Sequence, residues 1–297
     1  MKPIVRIVGI IVSLAAFAFV GRAIYRSFDG LQQQLASPSF LIAVAGSVVA
    51  YATILQLCGL AWHRLLAAID HPSLGIGHAL AIYGRTQIYK YLPSNVLHMV
   101  GRYRLAKSAG ASNKALAFAQ IGELLTIVLA AAGISVLLAR AVLVHALEEH
   151  SVDDPTLVNV LVVGGIAILA VGVTAIVRQR MAGAGQKAFV AVAVAFVFYA
   201  LFFIGSGLLL AGLCKSLSSA SEVPELIGIG AAAWLVGFLV PGAPGGLGVR
   251  ETILIAGLST AGLPAVEATA VALGYRFVTT VGDALLAIVV MLCAFKK

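Results

Sequence analysis

The sequence predicts an all-α polytopic membrane protein with about six full transmembrane helices and two oppositely oriented re-entrant helical hairpins. Three observations support this prediction. The 297 residues are 61% hydrophobic and 11% charged, a composition that would leave a soluble domain with a very large exposed apolar surface. Several apolar segments reach the roughly 20 residues that cross a bilayer. Two other apolar segments are interrupted by proline and glycine, near residues 93 and 241.

Full crossings are predicted where a mostly apolar segment is long enough to span a hydrocarbon core of about 30 Å. The predicted spans are residues 5–26, 39–61, 115–139, 156–177, 188–213 and 266–294. We interpret the first span as a retained helix. Arg22, Tyr25 and Arg26 stand where the cleavage site of a signal peptide would need small residues.

The net charge of +8 is unevenly distributed along the chain, and its distribution predicts the orientation of the spans. Short loops rich in Lys and Arg remain on the cytoplasmic side of a membrane. Residues 62–114 carry seven basic side chains against the single acid Asp70, whereas residues 140–155 carry four acids against Arg140. The first segment is therefore predicted to be cytoplasmic and the second to be external, with both chain termini in the cytoplasm.

The two interrupted segments predict helical hairpins. Their limbs are residues 76–92 with 95–109, and residues 226–240 with 247–260. Proline and glycine break helices, and a broken backbone persists in hydrocarbon only where protein or water satisfies its polar groups. From the parity of the crossings, the first hairpin enters from the cytoplasm and the second from outside. The alternative is an interfacial helix and loop at residues 76–109 and an ordinary turn at 241–246.

The order of elements predicts one integral membrane domain, residues 1–297, made of two inverted repeats. Each half reads span, span, hairpin, span, so the repeats cover approximately residues 1–140 and 155–297. Inverted repeats with interrupted helices at corresponding positions are typical of transporters, whose substrate sites lie near the membrane midplane.

Polar residues inside the apolar segments predict the functional site. An ionisable residue costs about 2.5–3.5 kcal/mol in the bilayer, so it faces the protein interior or a water-filled cavity. The polar faces of the last and third spans carry Thr269, Arg276, Thr279, Thr280 and Asp283, and Gln120, Glu123 and Thr126. Arg102 and Arg250 follow Pro93 and Pro241 by the same interval, so we set them against Glu123 and Asp283, and Glu251 adds a third acid. Arg276 and Asp283 lie two turns apart, roughly 10 Å, so each is expected to find its partner on another element. The alternative is a structural role, as interhelical ion pairs that fix the bundle.

The sequence lacks the motifs of an enzyme. It contains no HExxH, Walker or GxSxG motif, and no spacing of His, Cys, Asp and Glu is typical of a metal site. We therefore predict no catalytic residue, no metal and no cofactor. The excess of basic residues does not indicate nucleic-acid binding, because aromatic residues do not alternate with the charges as stacking platforms.

Three motifs resemble the integral membrane domain of the lysylphosphatidylglycerol synthase and flippase family. They are Lys90 to Asn95 continuing to Gly101-Arg102, Pro241 to Glu251, and Tyr275-Arg276 with Gly282-Asp283. The resemblance covers nearly the whole chain. The first motif departs from the commoner family form, in which a glycine-rich turn leads to a Gly-Glu pair before the arginine.

The resemblance implies a role in moving lipids, since the best-known members transfer an aminoacylated phospholipid to the outer leaflet. Those members also carry a cytoplasmic aminoacyltransferase domain, which these 297 residues lack, so lipid synthesis is not expected. Free-standing relatives are associated with envelope polysaccharides and isoprenoid-linked sugars. The cargo implied by the resemblance is a phospholipid, a polyprenyl phosphate or its glycosylated form.

We therefore expect a flippase or scramblase of the bacterial cytoplasmic membrane that moves an anionic phospholipid or polyprenyl-phosphate-linked glycolipid for cell-envelope biogenesis. The predicted substrate-binding residues are Arg85, Lys90, Asn95, Arg102, Glu123, Arg250, Glu251, Tyr275, Arg276 and Asp283. The arginines at 102, 250 and 276 would receive the phosphate. The acids would balance these arginines, bind sugar or amine groups, or take up a coupling proton.

Other functions and partners stay open from the sequence alone. One alternative is a membrane-embedded glycosyl or acyl transferase, or an accessory subunit of one. Another is an ion or small-solute transporter that uses the same inverted hairpins. Besides the membrane and its lipid substrate, a second copy of the chain or envelope-biosynthesis enzymes are candidate partners.

Overall fold

A computed structural model describes residues 18, 20–26, 28–69, 74–91, 97–139, 185–217, 222–240 and 243–294. The described part of the chain consists of helices and short connections, without a β-strand. The all-α prediction is therefore confirmed.

The helices are named here in chain order. They are α1 (Phe28–Leu35), α2 (Pro38–Ile54), α3 (Gln56–Ala67), α4 (Ile76–Gln87), α5 (Leu97–Ser108), α6 (Asn113–Leu138), α7 (Gly185–Leu217), α8 (Val223–Leu239), α9 (Val249–Thr260) and α10 (Ala265–Ala294). Two short 3₁₀ turns, Ile88–Tyr91 and Pro244–Gly246, follow α4 and precede α9.

Four segments of the described residues are long and apolar enough to cross a membrane. They are α2 with α3, α6, α7 and α10, and they agree with the predicted spans 39–61, 115–139, 188–213 and 266–294. The protein is thus membrane-embedded through several apolar helices. The predicted span 156–177 lies outside the described residues. Of the predicted span 5–26, only residues 18 and 20–26 are described, and these are helical.

The two predicted hairpins are present as pairs of short helices in contact. Helix α4 packs on α5, and α8 packs on α9. Helices α4, α5 and α9 have 12 residues each, or about 18 Å at 1.5 Å per residue, which is too short for a core of about 30 Å. The breaker Pro93 and the neighbouring Asn95 lie outside the described residues, as does Pro241. That the hairpins are re-entrant in a bilayer stays a prediction.

Glycine makes the turn of the second hairpin possible. Gly245, Gly246 and Gly248 have φ angles of 58°, 74° and 80°, which residues with a Cβ rarely adopt. Gly245 also packs against the ring of Tyr91, because a Cβ there would lie 3.0 Å from Tyr91 Cδ1. The tips of the two hairpins therefore touch each other, through the turns Ile88–Tyr91 and Pro244–Gly246.

The packing of the hairpins corresponds between the two halves of the chain. The first limb of each hairpin packs on the span before it, α4 on α3 and α8 on α7. Each first limb also packs on the last span of the other half, α4 on α10 and α8 on α6. Two repeats with the same order of elements, each hairpin packed against the other repeat, would make the same contacts.

Helix α7 lies at the centre of the described bundle, in contact with α2, α3, α6, α8 and α10. Small residues permit its closest approach to a neighbour. A Cβ at Gly207 would lie 2.5 Å from Ile227 Cα on α8. On the other side of α8, a Cβ at Gly228 would overlap the backbone of Ala139. Helix α8 is therefore held between α6 and α7 at glycine contacts.

We predict that Gly207→Ala destabilises the protein by about 1–3 kcal/mol, because the added methyl group would force α7 and α8 apart. Thermal unfolding of the purified protein in detergent would measure the loss. Gly212→Ala is the matched control, since Gly212 lies on the same helix with nothing within 4 Å of an added Cβ. Equal stability of the two variants would contradict the close contact between α7 and α8.

Candidate functional site

The polar stripe of α10 holds the tips of both hairpins. Asp283 is fully buried, and its Oδ2 lies 2.7 Å from Lys90 Nζ and accepts a 2.6 Å hydrogen bond from Tyr91 OH. Arg276 lies two turns earlier on the same helix and reaches the other hairpin. Its Nη2 donates a 2.8 Å hydrogen bond to the carbonyl oxygen of Gly245. Both tips are therefore fixed to one transmembrane helix.

Glu251 completes the attachment of the second hairpin. Its Oε1 lies 2.8 Å from Arg276 Nε, and both side chains are buried. Glu251 is in the first turn of α9, where a carboxylate is also stabilised by the helix dipole. The expectation that Arg276 and Asp283 each find a partner on another element is therefore confirmed.

Arg102 and Glu123 form a third buried ion pair, between α5 and α6. Arg102 Nη1 donates to Glu123 Oε2, and Tyr83 OH donates to Glu123 Oε1 at 3.2 Å. The guanidinium carbon of Arg102 lies 3.9 Å from the ring centroid of Tyr83 and 5.6 Å from that of Trp62, within cation–π range. Arg102 is only 1% exposed. Its predicted pairing with Glu123 is confirmed.

Arg250 differs from these residues because it has no ion-pair partner among the described residues. Its predicted pairing with Asp283 is wrong, because Lys90 pairs with that carboxylate. The Arg250 guanidinium lies 5.6 Å from the ring centroid of Trp234. Its Nε is buried without a hydrogen-bond partner.

Two glycines fix the course of the Arg250 side chain. A Cβ at Gly237 on α8 would overlap Arg250 Cγ, and a Cβ at Gly246 would lie 2.6 Å from Arg250 Nε. The side chain therefore runs from α9 between the first limb and the turn of its own hairpin. Arg250 is partly buried and lines a cavity.

This cavity, which we call the central cavity, lies between the two hairpins. It has about 80 Å³ accessible to the centre of a water molecule. Among the described residues, its charged lining consists of Lys90, Arg102 and Arg250 with the carboxylate of Glu123. Aromatic side chains form much of its remaining wall, and they include Tyr51, Phe202, Trp234 and Phe238. The arrangement can hold an anion against several fixed cationic groups.

A smaller cavity of about 20 Å³ shares Arg250, Trp234 and Tyr51 with the central cavity. Arg276 also lines it. Tyr275, another predicted site residue, lines the same space, and its OH forms a 2.6 Å hydrogen bond with Ser206 Oγ. Arg250 thus stands between two adjoining spaces.

The predicted site residues fall into distinct groups. The structure brings together Lys90, Arg102, Glu123 and Arg250 at the central cavity, and Arg276 and Tyr275 at the smaller one. Glu251 and Asp283 are buried behind these linings as ion-pair partners. Arg85 is exposed on α4 and does not reach either cavity. Asn95 lies outside the described residues.

Sequence reasoning missed the aromatic wall. Trp234 and Phe238 stack on each other with centroids 5.0 Å apart, and Phe203 packs edge-on against Trp234. These residues belong to uniformly apolar helices, where no polar stripe identifies the inward face. The nearest available signal was the position of Trp234 and Gly237 just before the break that follows α8.

Comparison of the chain with protein-family models and with curated proteins finds no match in either case. The fold and the site therefore define only a class: an all-α polytopic membrane protein with two touching hairpins and a cavity rich in basic side chains between them. Within the described residues, no group of three or more His, Cys, Asp and Glu side chains could hold a metal ion.

We predict that Glu123→Ala destabilises the fold by about 3–5 kcal/mol, because it leaves the Arg102 guanidinium buried without its charge partner. Chemical or thermal unfolding in detergent measures this loss. Arg104→Ala, at an exposed position of the same helix as Arg102, should change stability by less than about 0.5 kcal/mol.

The double variant Arg102→Leu with Glu123→Leu isolates the interaction of the pair. It should lose much less stability than the sum of the two single leucine variants, because no buried charge is left unpaired. Strictly additive losses would show that the two side chains do not interact.

Proposed function

We propose that this protein is a membrane lipid transporter, a flippase or scramblase, that moves an anionic phospholipid or polyprenyl-phosphate-linked lipid between leaflets. One observation carries the proposal: Arg250 lines the central cavity and has no acid partner among the described residues. The resemblance to the lysylphosphatidylglycerol synthase and flippase family supports the same class of function. We place this function in the bacterial cytoplasmic membrane, with both termini inside, as the sequence predicts.

Charge balance favours an anionic ligand at Arg250. The cations Lys90, Arg102 and Arg276 each have their own carboxylate, at Asp283, Glu123 and Glu251. Removing a charged group from water without a partner is costly. A phosphate oxygen pair suits the planar guanidinium, which donates two parallel hydrogen bonds. The phosphate of a lipid would therefore complete the charge balance of the site.

The surroundings of the central cavity favour a lipid over a water-soluble anion. Leu124 on α6 lines the cavity and is 38% exposed. Ile121 on the same helix is 58% exposed, and Leu239 at the end of α8 is 59% exposed. In a membrane protein such apolar surface faces lipid tails. A lipid could therefore place its phosphate in the cavity while its tails stay in the bilayer.

The contact between the hairpin tips suggests how access would alternate. Tyr91 of the first turn packs on Gly245 of the second, and α10 holds both turns through Asp283 and Arg276. Rocking of one repeat against the other would open this contact on one side of the site at a time. Tip separation would then require breaking hydrogen bonds to α10, which a bound phosphate could compensate.

A second candidate function is the transport of a small inorganic anion. The volume of the central cavity, about 80 Å³ accessible to water centres, suits a free phosphate ion as well as the phosphate of a lipid. Phosphate flux into sealed vesicles that contain the purified protein would support this candidate. The exposed apolar residues beside the cavity favour the lipid.

The test is translocation of tail-labelled phosphatidylglycerol in proteoliposomes, with protection from an external quencher as the readout. We predict that Arg250→Ala lowers the rate at least about tenfold, since loss of a charge-assisted contact costs about 1.5–3 kcal/mol. Arg85→Ala is the matched control, because Arg85 is exposed and reaches neither cavity. Equal rates in empty, wild-type and Arg250→Ala vesicles would refute lipid transport.

A second variant tests the position of the guanidinium while keeping its charge. Gly237→Ala places a methyl group on Arg250 Cγ, so we predict a several-fold lower transport rate in a folded protein. Gly133→Ala serves as the control, since an added Cβ there meets nothing within 4 Å. Unchanged transport by Gly237→Ala would mean that the exact course of the Arg250 side chain is unimportant.

A further inference from the structure

We infer that the central cavity selects lipids whose head group carries net negative charge and no amine, and that it rejects aminoacylated and zwitterionic lipids. This inference rests on the proposed function and narrows its substrate class. It follows from which charged groups face the cavity and from how the carboxylates are already engaged.

The carboxylate that lines the central cavity is already engaged. Glu123, the acid that lines the central cavity, has Oε2 paired with Arg102 and Oε1 bonded to the hydroxyl of Tyr83. Glu251 and Asp283 each keep one oxygen without a hydrogen-bond partner, but they are 4% and 0% exposed and line neither cavity. An amine that entered would find Glu123 as the one carboxylate among the described lining residues, and both of its oxygens already accept a hydrogen bond from the protein.

The arginine side chains that line the cavity, in contrast, keep N–H groups without a hydrogen-bond partner. Arg102 Nε and Arg250 Nε are both buried without a hydrogen-bond partner, and both side chains line the central cavity. Lys90 lines it as well, with its ammonium paired to one oxygen of Asp283. Lys90 and Arg102 are thus balanced by their carboxylates, and Arg250 leaves one net positive charge at the cavity. An ammonium group there would be repelled, and a phosphate would be attracted.

This selectivity differs from that of the best-known members of the resembled family, which move an aminoacylated phospholipid. The ammonium of an aminoacylated head group needs an acidic contact. The central cavity would discriminate against such a lipid by leaving its ammonium unpaired among cations. A phosphate group without an amine could belong to a glycerophospholipid or to a polyprenyl phosphate. The cavity lining fits the phosphate in both.

The experiment compares lipids in one vesicle system that contains the full-length protein. Tail-labelled phosphatidic acid, phosphatidylglycerol, phosphatidylethanolamine and lysyl-phosphatidylglycerol with identical acyl chains are placed singly in phosphatidylcholine vesicles. The two anionic lipids should cross at least about ten times faster than the two amine-bearing ones. A labelled polyprenyl phosphate forms a fifth arm, and the faster of this arm and the phosphatidic acid arm identifies the source of the phosphate.

Arg250→Gln adds a test of the cause. It should lower the rates of the anionic lipids toward the low rates of the amine-bearing lipids, so that selectivity is lost. Unfolding in detergent establishes that the variant is folded. If it is not, the ratio measured with the wild type still decides the inference, because that ratio needs no variant.

The outcomes separate the inference from the proposed function. Transport of lysyl-phosphatidylglycerol as fast as that of phosphatidylglycerol overturns the charge selectivity and leaves lipid transport in place. No lipid crossing faster than in empty vesicles overturns both. Faster crossing of the anionic lipids in the wild type, with loss of that preference in Arg250→Gln, supports both.

Discussion

The attachment of two hairpin tips to one helix is the constraint on which the described structure depends. Asp283 holds Lys90 and Tyr91 of the first tip, and Arg276 holds the backbone of Gly245 in the second. Buried charges are tolerated only when they are paired and hydrogen-bonded. Each contact therefore requires the others, because a displaced tip would leave a carboxylate or a guanidinium alone in an apolar interior.

Pairing within the bundle also determines what the cavity can do. Three acids neutralise three cations, and their side chains are consumed in holding helices together. Among the predicted site residues, the ion-paired ones therefore have a structural role, and Arg250 is the candidate for ligand binding. Among the described cations that line the cavities, Arg250 is the one without a carboxylate, and its surroundings include the Trp234 ring, Gly237 and Gly246.

Much of this arrangement could be predicted from the sequence, for identifiable physical reasons. Apolar length gave the four confirmed spans, and the polar stripe of α10 gave Arg276 and Asp283, since lipid excludes such residues from the outer face. The partner of Asp283 was missed because Lys90 lies in a 3₁₀ turn. The spacing of residues along an α-helix does not predict where a side chain of such a turn points. Arg85 was misplaced because it is the exposed residue between buried Gly84 and Thr86, and apolarity alone does not reveal which side of a short helix is open.

The two glycines that confine Arg250 have a thermodynamic consequence. A free arginine side chain loses up to about 2 kcal/mol of rotamer entropy when it is immobilised. Here Gly237 and Gly246 leave little space around its aliphatic stem, so most of that ordering is completed when the protein folds. A ligand that binds this guanidinium therefore removes less side-chain rotamer entropy. Its affinity is higher than the same contact would give with a mobile arginine on the surface.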